Sequence, residues 1–134
     1  TLKQMKGGSN DTSNDNELTS EQIVKDTNKT TSQIKELTTE MKVGDNLVIF
    51  IYATWCGFCR AYYDSYKDLV EKANTENITR VISHSHDDNK QNLYYPATGF
   101  PTLLLVTKIN KTTFKQEELS DIYEIDTILQ KLLK

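Results

Sequence analysis

Apolar positions are spread unevenly along the 134 residues. Residues 1–17 include Gly7-Gly8-Ser9-Asn10-Asp11-Thr12-Ser13-Asn14-Asp15-Asn16 and almost nothing to bury, so they are expected to form a disordered tail or linker. From Leu18 a helical period begins. Thr19 and Gln22 can cap a short helix that offers Ile23 and Val24 to a core. After a break near Asn28 to Thr31, Ile34, Leu37 and Met41 recur at helical steps, with Thr30 and Gln33 as a second capping box and Gly44 as a stop. Leu47 to Ala53 is a near-continuous apolar run rich in β-branched and aromatic residues, which predicts a buried strand. Cys59, Tyr62, Tyr63, Tyr66, Leu69, Val70 and Ala73 then return to three- and four-residue steps, which predicts an amphipathic helix.

The remaining pattern completes a layered domain. Ile78 to Ser83 predicts a second strand. Its helical link to the first makes a βαβ unit, hence parallel pairing and a right-handed crossover. Asp88 can cap a short helix through about Tyr94, before Pro96 and Gly99 break the chain. Thr102 to Thr107 predicts a third strand, Asn110-Lys111 a turn and Thr112 to Gln116 a weaker strand. Ser120 and Asp121 open a last helix with Ile122, Ile125, Ile128, Leu129, Leu132 and Leu133 on one face. The pattern predicts one α/β domain over residues 18–134, a mixed central sheet flanked by helices.

Both cysteines lie in Trp55-Cys56-Gly57-Phe58-Cys59, where the first strand gives way to the helix. That puts Cys56 at a helix N-terminus, where unpaired N–H groups and the helix dipole favour an anion. Its thiol is therefore expected to lose its proton readily and to attack disulfides as a thiolate. Cys59 lies one turn inward, placed to attack the mixed disulfide that Cys56 forms. The zinc alternative needs four ligands and finds only these two sulfurs plus His84 and His86. A structural disulfide across so short a loop would remove little unfolded-state entropy. The segment His84-Ser85-His86-Asp87-Asp88 is read as solvated turn residues and a helix cap rather than a metal-binding tract.

Tyr52-Ala53-Thr54-Trp55-Cys56-Gly57-Phe58-Cys59-Arg60 resembles the active-site segment of thioredoxins and of protein disulfide isomerase catalytic domains. Gly99-Phe100-Pro101-Thr102 resembles the loop that carries that family's cis-proline beside the dithiol. The resemblance implies a thioredoxin-like fold and thiol–disulfide oxidoreductase activity on protein disulfides. In it Cys56 and Cys59 are catalytic, while Trp55, Gly57, Phe58, Phe100 and Pro101 seat the substrate. It also implies protein thiols or disulfides and a redox partner as the molecules met, no cofactor, no metal and a monomer. Three positions depart from the family pattern. Phe50 stands where the family has a buried acid six positions before the first cysteine, and Asp64 stands where it has a proline. Gly57-Phe58 replaces the Gly-Pro of reductants or the Gly-His of isomerases, so Phe58 brings no charge to Cys56 and Arg60 is the nearer cation in sequence.

Composition narrows the rest. The apolar fraction of 37% and mean hydropathy of −0.59 agree with part of the length lying outside a core. A net charge of −3 leaves no basic footprint for nucleic acid, and no apolar run is long enough to span a membrane. Because the chain opens on Thr1, it is expected to be a processed or trimmed chain. Its compartment stays open: cytoplasmic, or secretory or virion if a signal or anchor preceded it. The rival to an exchange enzyme is a redox-capable adaptor that binds a partner protein with little turnover, motivated by the missing acid at Phe50.

Overall fold

The computed structural model describes residues 18–76, 79–88, 93–95, 97, 99–119 and 125–132. The expected tail at 1–17, the body of the short helix after Asp88 and the opening of the last helix lie outside them. The elements run α1 (Ser20–Asp26), α2 (Thr31–Glu40), β1 (Asn46–Tyr52), α3 (Gly57–Glu76), β2 (Arg80–Ser85), β3 (Thr102–Lys108), β4 (Phe114–Glu118) and α4 (Ile125–Leu132).

The caps form where the local sequence puts them. Thr30 closes a full capping box with Gln33: its side chain accepts from the Gln33 N–H at 3.1 Å, and the Gln33 side chain accepts from the Thr30 N–H at 2.9 Å. Thr19 makes only half a box. It accepts from the Gln22 N–H, while the Gln22 amide turns to Asp26 at 2.7 Å. Gly44 does not stop α2, which ends at Glu40 with an extended Met41 as its cap. Its φ of 94° serves the turn into β1 instead, a conformation open to glycine because it lacks a Cβ.

The sheet order is β2-β1-β3-β4, with β1 parallel to β2 and antiparallel to β3, and β3 antiparallel to β4. A central strand covered on both faces has no polar side, which is why β1 reads as unbroken apolar sequence. Its alternate residues divide between two cores. Val48, Phe50 and Tyr52 pack with α1, α3 and α4 through Val24, Tyr66, Leu69 and Ile128. Leu47, Ile49 and Ile51 pack with Ile34 and Leu37 of α2 and with its cap Met41 on the opposite face. Each such buried side chain is worth about 1.5–3 kcal/mol of transfer free energy.

The second strand begins and ends two residues later than the sequence pattern suggests. Its register sets Leu47 opposite Arg80 and Tyr52 opposite Ser85. His84 and Ser85 are thereby drawn into the sheet and fully buried, so the reading of them as solvated turn residues is corrected. Pairing along β1 outweighs their polarity because their polar atoms find partners. The break between α1 and α2 supplies these: Asn28 bridges to Ser83, the Lys29 N–H donates to the Ser83 carbonyl at 2.9 Å, and the Asn28 side chain accepts from the Ser85 N–H at 2.8 Å.

Helix α3 runs unbroken for 20 residues. Asp64, at the family's proline position, receives a hydrogen bond from the Ser20 hydroxyl of α1. The Tyr66 hydroxyl meets the Thr27 hydroxyl at 2.7 Å. These two contacts lash α1 along α3 and leave the N-terminus of α3 at the carboxyl ends of β1 and β2.

Candidate active site

The chain leaves β1 at Tyr52 and turns directly into α3. The Cys56 N–H donates to the Ala53 carbonyl at 3.1 Å, and the Cys56 carbonyl accepts from the Arg60 N–H at 3.2 Å. The Cys56 sulfur accepts from the Cys59 N–H at 3.2 Å. Cys56 thus stands as the N-cap of α3, with sulfur in the acceptor place that a serine or aspartate oxygen usually fills. The Cys59 N–H and the positive end of the helix thus face that sulfur. As a thiol it donates in turn to the Phe100 carbonyl at 3.5 Å, which joins the dithiol to a loop 44 positions away. The peptide between Phe100 and Pro101 is cis.

The two cysteines are free thiols in different settings. Cys56 keeps 7% of its surface exposed, and Cys59 keeps none. Burial and a hydrogen bond with the Cys56 side chain push the Cys59 thiol well above its ordinary range, opposed by a backbone hydrogen bond from Ala53. Cys59 is therefore held protonated.

The other residues expected at the site divide into an apolar rim and a loop. Trp55 and Phe58 are 63% and 74% exposed. Phe100 is half-buried and meets the Trp55 ring edge-on at 5.9 Å between centroids. Gly57 opens α3 with no heavy atom within 4 Å of where a Cβ would lie, so close packing does not require glycine there. Pro101 is half-buried beside Phe100.

Asp87 belongs to this site, although the sequence reading left it among solvated turn residues. One carboxylate oxygen accepts from both the Thr54 N–H, at 2.6 Å, and the Thr54 hydroxyl, at 2.8 Å; the other accepts from the Trp55 indole N–H at 3.0 Å. The Thr54 N–H and hydroxyl hold the Asp87 carboxyl below the usual carboxylate range, with the Trp55 indole and His86 adding to the effect. Asp87 so clamps the two residues that precede Cys56. The parallel βαβ unit was the signal that could have found it, because parallel pairing puts the ends of β1 and β2 at one sheet edge.

His84 and His86 also part company. The His84 ring bonds the Lys29 carbonyl through Nδ1 at 2.7 Å and accepts from the Tyr94 N–H through Nε2 at 3.1 Å, so neither nitrogen is left to join the sulfurs in a zinc site. Its burial lowers its proton affinity. His86 lies against Phe100, ring centroids 5.0 Å apart, with Nδ1 buried and without a hydrogen-bond partner among the described residues. Among the described residues, no group of three or more His, Cys, Asp or Glu is placed to hold a metal ion.

Below the dithiol lies the main departure from the family pattern. Phe50 is fully buried, its ring stacked with Tyr66 at 4.9 Å and Tyr52 at 5.4 Å, tilted against Tyr62 at 5.4 Å and edge-on to Tyr63 at 6.5 Å.

A family model described as thioredoxin matches residues 21–132. This chain belongs to the thioredoxin family. No curated protein matches it. Among solved structures, it is similar to mitochondrial thioredoxin 3 from Saccharomyces cerevisiae, at 18% identity and a TM-score of 0.59, over 86% of this chain and 98% of that one. It is similar to the first thioredoxin domain of mouse protein disulfide-isomerase A4, at 14% identity and a TM-score of 0.59, over 80% and 74%. The J-Trx1 fragment of ERdj5 gives a TM-score of 0.62 at 11% identity, over 84% of this chain, which spans 56% of that fragment. At such identities the neighbours establish the thioredoxin fold. Members of the thioredoxin family are thiol–disulfide oxidoreductases, and the nearby cysteines of this one, Cys56 and Cys59, fit thiol–disulfide redox chemistry. Among the described residues, no helix is long and apolar enough to cross a membrane.

Proposed function

We propose that this thioredoxin-family chain is a thiol–disulfide oxidoreductase acting on protein disulfides. The observation that carries the reading is the Cys56 sulfur in the N-cap position of α3, with Cys59 one turn behind it and the Phe100 carbonyl beside it. Cys56 attacks as a thiolate. One substrate sulfur leaves with the electron pair, and the other is held in a mixed disulfide. Cys59 then loses its proton and attacks the Cys56 sulfur, which frees the second substrate thiol and leaves a Cys56–Cys59 disulfide. Trp55, Gly57, Phe58, Phe100 and Pro101 form the seat for an extended substrate segment. Pro101 has no N–H to offer a neighbouring strand, so backbone groups of this loop are left for the substrate.

Insulin reduction by the wild type and by Cys56→Ser tests this. The variant is expected to fall to background, a loss of about three orders of magnitude or more; equal rates in both would end the proposal. A second reading, a redox-capable adaptor with little turnover, is favoured by Phe50 in place of an acid and by the fully buried Cys59. Trapping with Cys59→Ser separates the two. An exchange enzyme accumulates mixed disulfides with many proteins, and an adaptor does not.

A further inference from the structure

Resolution of a mixed disulfide releases one proton from a thiol that has no contact with solvent. Cys59 is fully buried, and the β1 side chain in the place of the family's acid is the hydrocarbon ring of Phe50. The rings of Tyr52, Tyr62, Tyr63 and Tyr66 pack around that ring. The Tyr66 hydroxyl is bonded to Thr27, away from the dithiol. Tyr52 and Tyr63 instead line a cavity of about 480 Å³, whose other walls are Glu21, Lys25, Thr54, Arg60 and Asp88. A space of that size with charged side chains in its walls has room for several waters. Tyr63 follows Cys59 by one helical turn, on the same face of α3. After burial, a charge on Cys59 is the strongest influence raising the Tyr63 phenol, followed by Glu21, with Arg60 opposing and Cys56 adding. Tyr52 is raised by burial first and then by Tyr63 and Asp88. Tyr63 thus lies one turn after Cys59 on the buried face of α3, meets the Tyr52 ring edge-on at 6.1 Å, and shares the cavity wall with Glu21 and Asp88.

We propose that Tyr63 is the proton-relay residue for Cys59, passing the thiol proton into the cavity bounded by Glu21 and Asp88. The inference rests on the exchange reading above. In the mixed disulfide, the Tyr63 oxygen takes up the Cys59 proton as its own hydroxyl proton passes through cavity water to a carboxylate or to bulk solvent. The Cys59 sulfur then bonds to the Cys56 sulfur, and the bond from Cys56 to the substrate breaks with its electron pair on the substrate sulfur. Two thiols of this chain become one disulfide, and one substrate disulfide becomes two thiols. The relay carries a proton and no electrons, and the phenol is neutral before and after. A high phenol proton affinity therefore does not stand in its way.

The test uses a chromogenic aromatic disulfide, dithionitrobenzoate, on the reduced protein. Its first thiolate release reports attack by Cys56, and its second reports resolution by Cys59. Tyr63→Phe keeps the ring and removes only the hydroxyl. Its first phase is expected within about twofold of wild type and its second slowed about a hundredfold, at the low end of what a positioned proton-transfer group supplies. The slowed phase is also expected to recover when imidazole is added. A second phase in Tyr63→Phe within twofold of wild type overturns the relay. So does a slowed phase indifferent to imidazole, since loss of packing would produce it. A wild type that releases no second equivalent overturns the exchange reading, and the relay with it.

Discussion

The two sulfurs of the dithiol stand one helical turn apart and live in different media. Around Cys56 the groups are polar and directional: a backbone N–H on the sulfur, the Phe100 carbonyl beside it, and Asp87 fixing Thr54 and Trp55. Cys59 is fully enclosed in the core cluster that holds Phe50 and its tyrosines. The second setting opposes charge on sulfur. A dithiol built this way sets one sulfur at a helix end and keeps the other as a thiol, with Phe50 where the family has an acid.

The sharpest way to break this contrast is to put an acid in that core. Phe50→Asp removes a fully buried ring and puts a carboxyl among tyrosines. It is expected to cost about 3–5 kcal/mol by urea unfolding while quickening resolution in a stopped-flow assay. A variant that resolves no faster would show that proton removal from Cys59 is not the slow step. On the polar side, Asp87→Ala unclamps the rim. Exchange is expected to fall about tenfold, as misplacement near a reacting atom does. The emission of Trp55, the single tryptophan of the chain, should change with it; unchanged emission and rate would mean that the clamp positions nothing.

Smaller effects sharpen the comparison from outside it. Thr30→Ala opens the capping box of α2, far from either sulfur, and is expected to cost about 1 kcal/mol with exchange unchanged. Acid should separate core from rim. His84 is buried with its proton affinity lowered from an ordinary 6.5. The unfolded chain therefore takes up that proton first, and the melting temperature should begin to fall as pH drops below about 6.5. Asp87 has its carboxyl held below an ordinary 3.8. Its contribution is present above that value and is lost only as pH falls through the lower folded value. Trp55 emission should accordingly hold steady from pH 7 to pH 5 while the melting temperature declines. If both move together in that window, the assignment of the two groups is wrong.

What the sequence alone determined is what depends on neighbours a few positions apart. Thr30 and Gln33 are three residues apart and close their box without help. The period from Cys59 to Ala73 produces the buried face of α3, and the strand-to-helix switch at Cys56 sets a sulfur at a helix end. The alternation of β1 fills two cores because hydrophobic burial reads only side-chain type and position. What tertiary structure decided is every contact that bridges distant segments. Asp87 reaches Trp55 across 32 positions, and its type gives no sign of whether it will cap a turn, meet water or brace an indole. His84 is polar yet buried, because pairing with β1 carries β2 onward and Lys29 and Tyr94 satisfy its ring. Four tyrosines converge on Phe50 only once α3 is laid across β1. Side-chain chemistry in a sequence states what a group can do. The register of strands and the packing of helices set which partner lies within 3 Å of it, and that choice is spread over the whole chain.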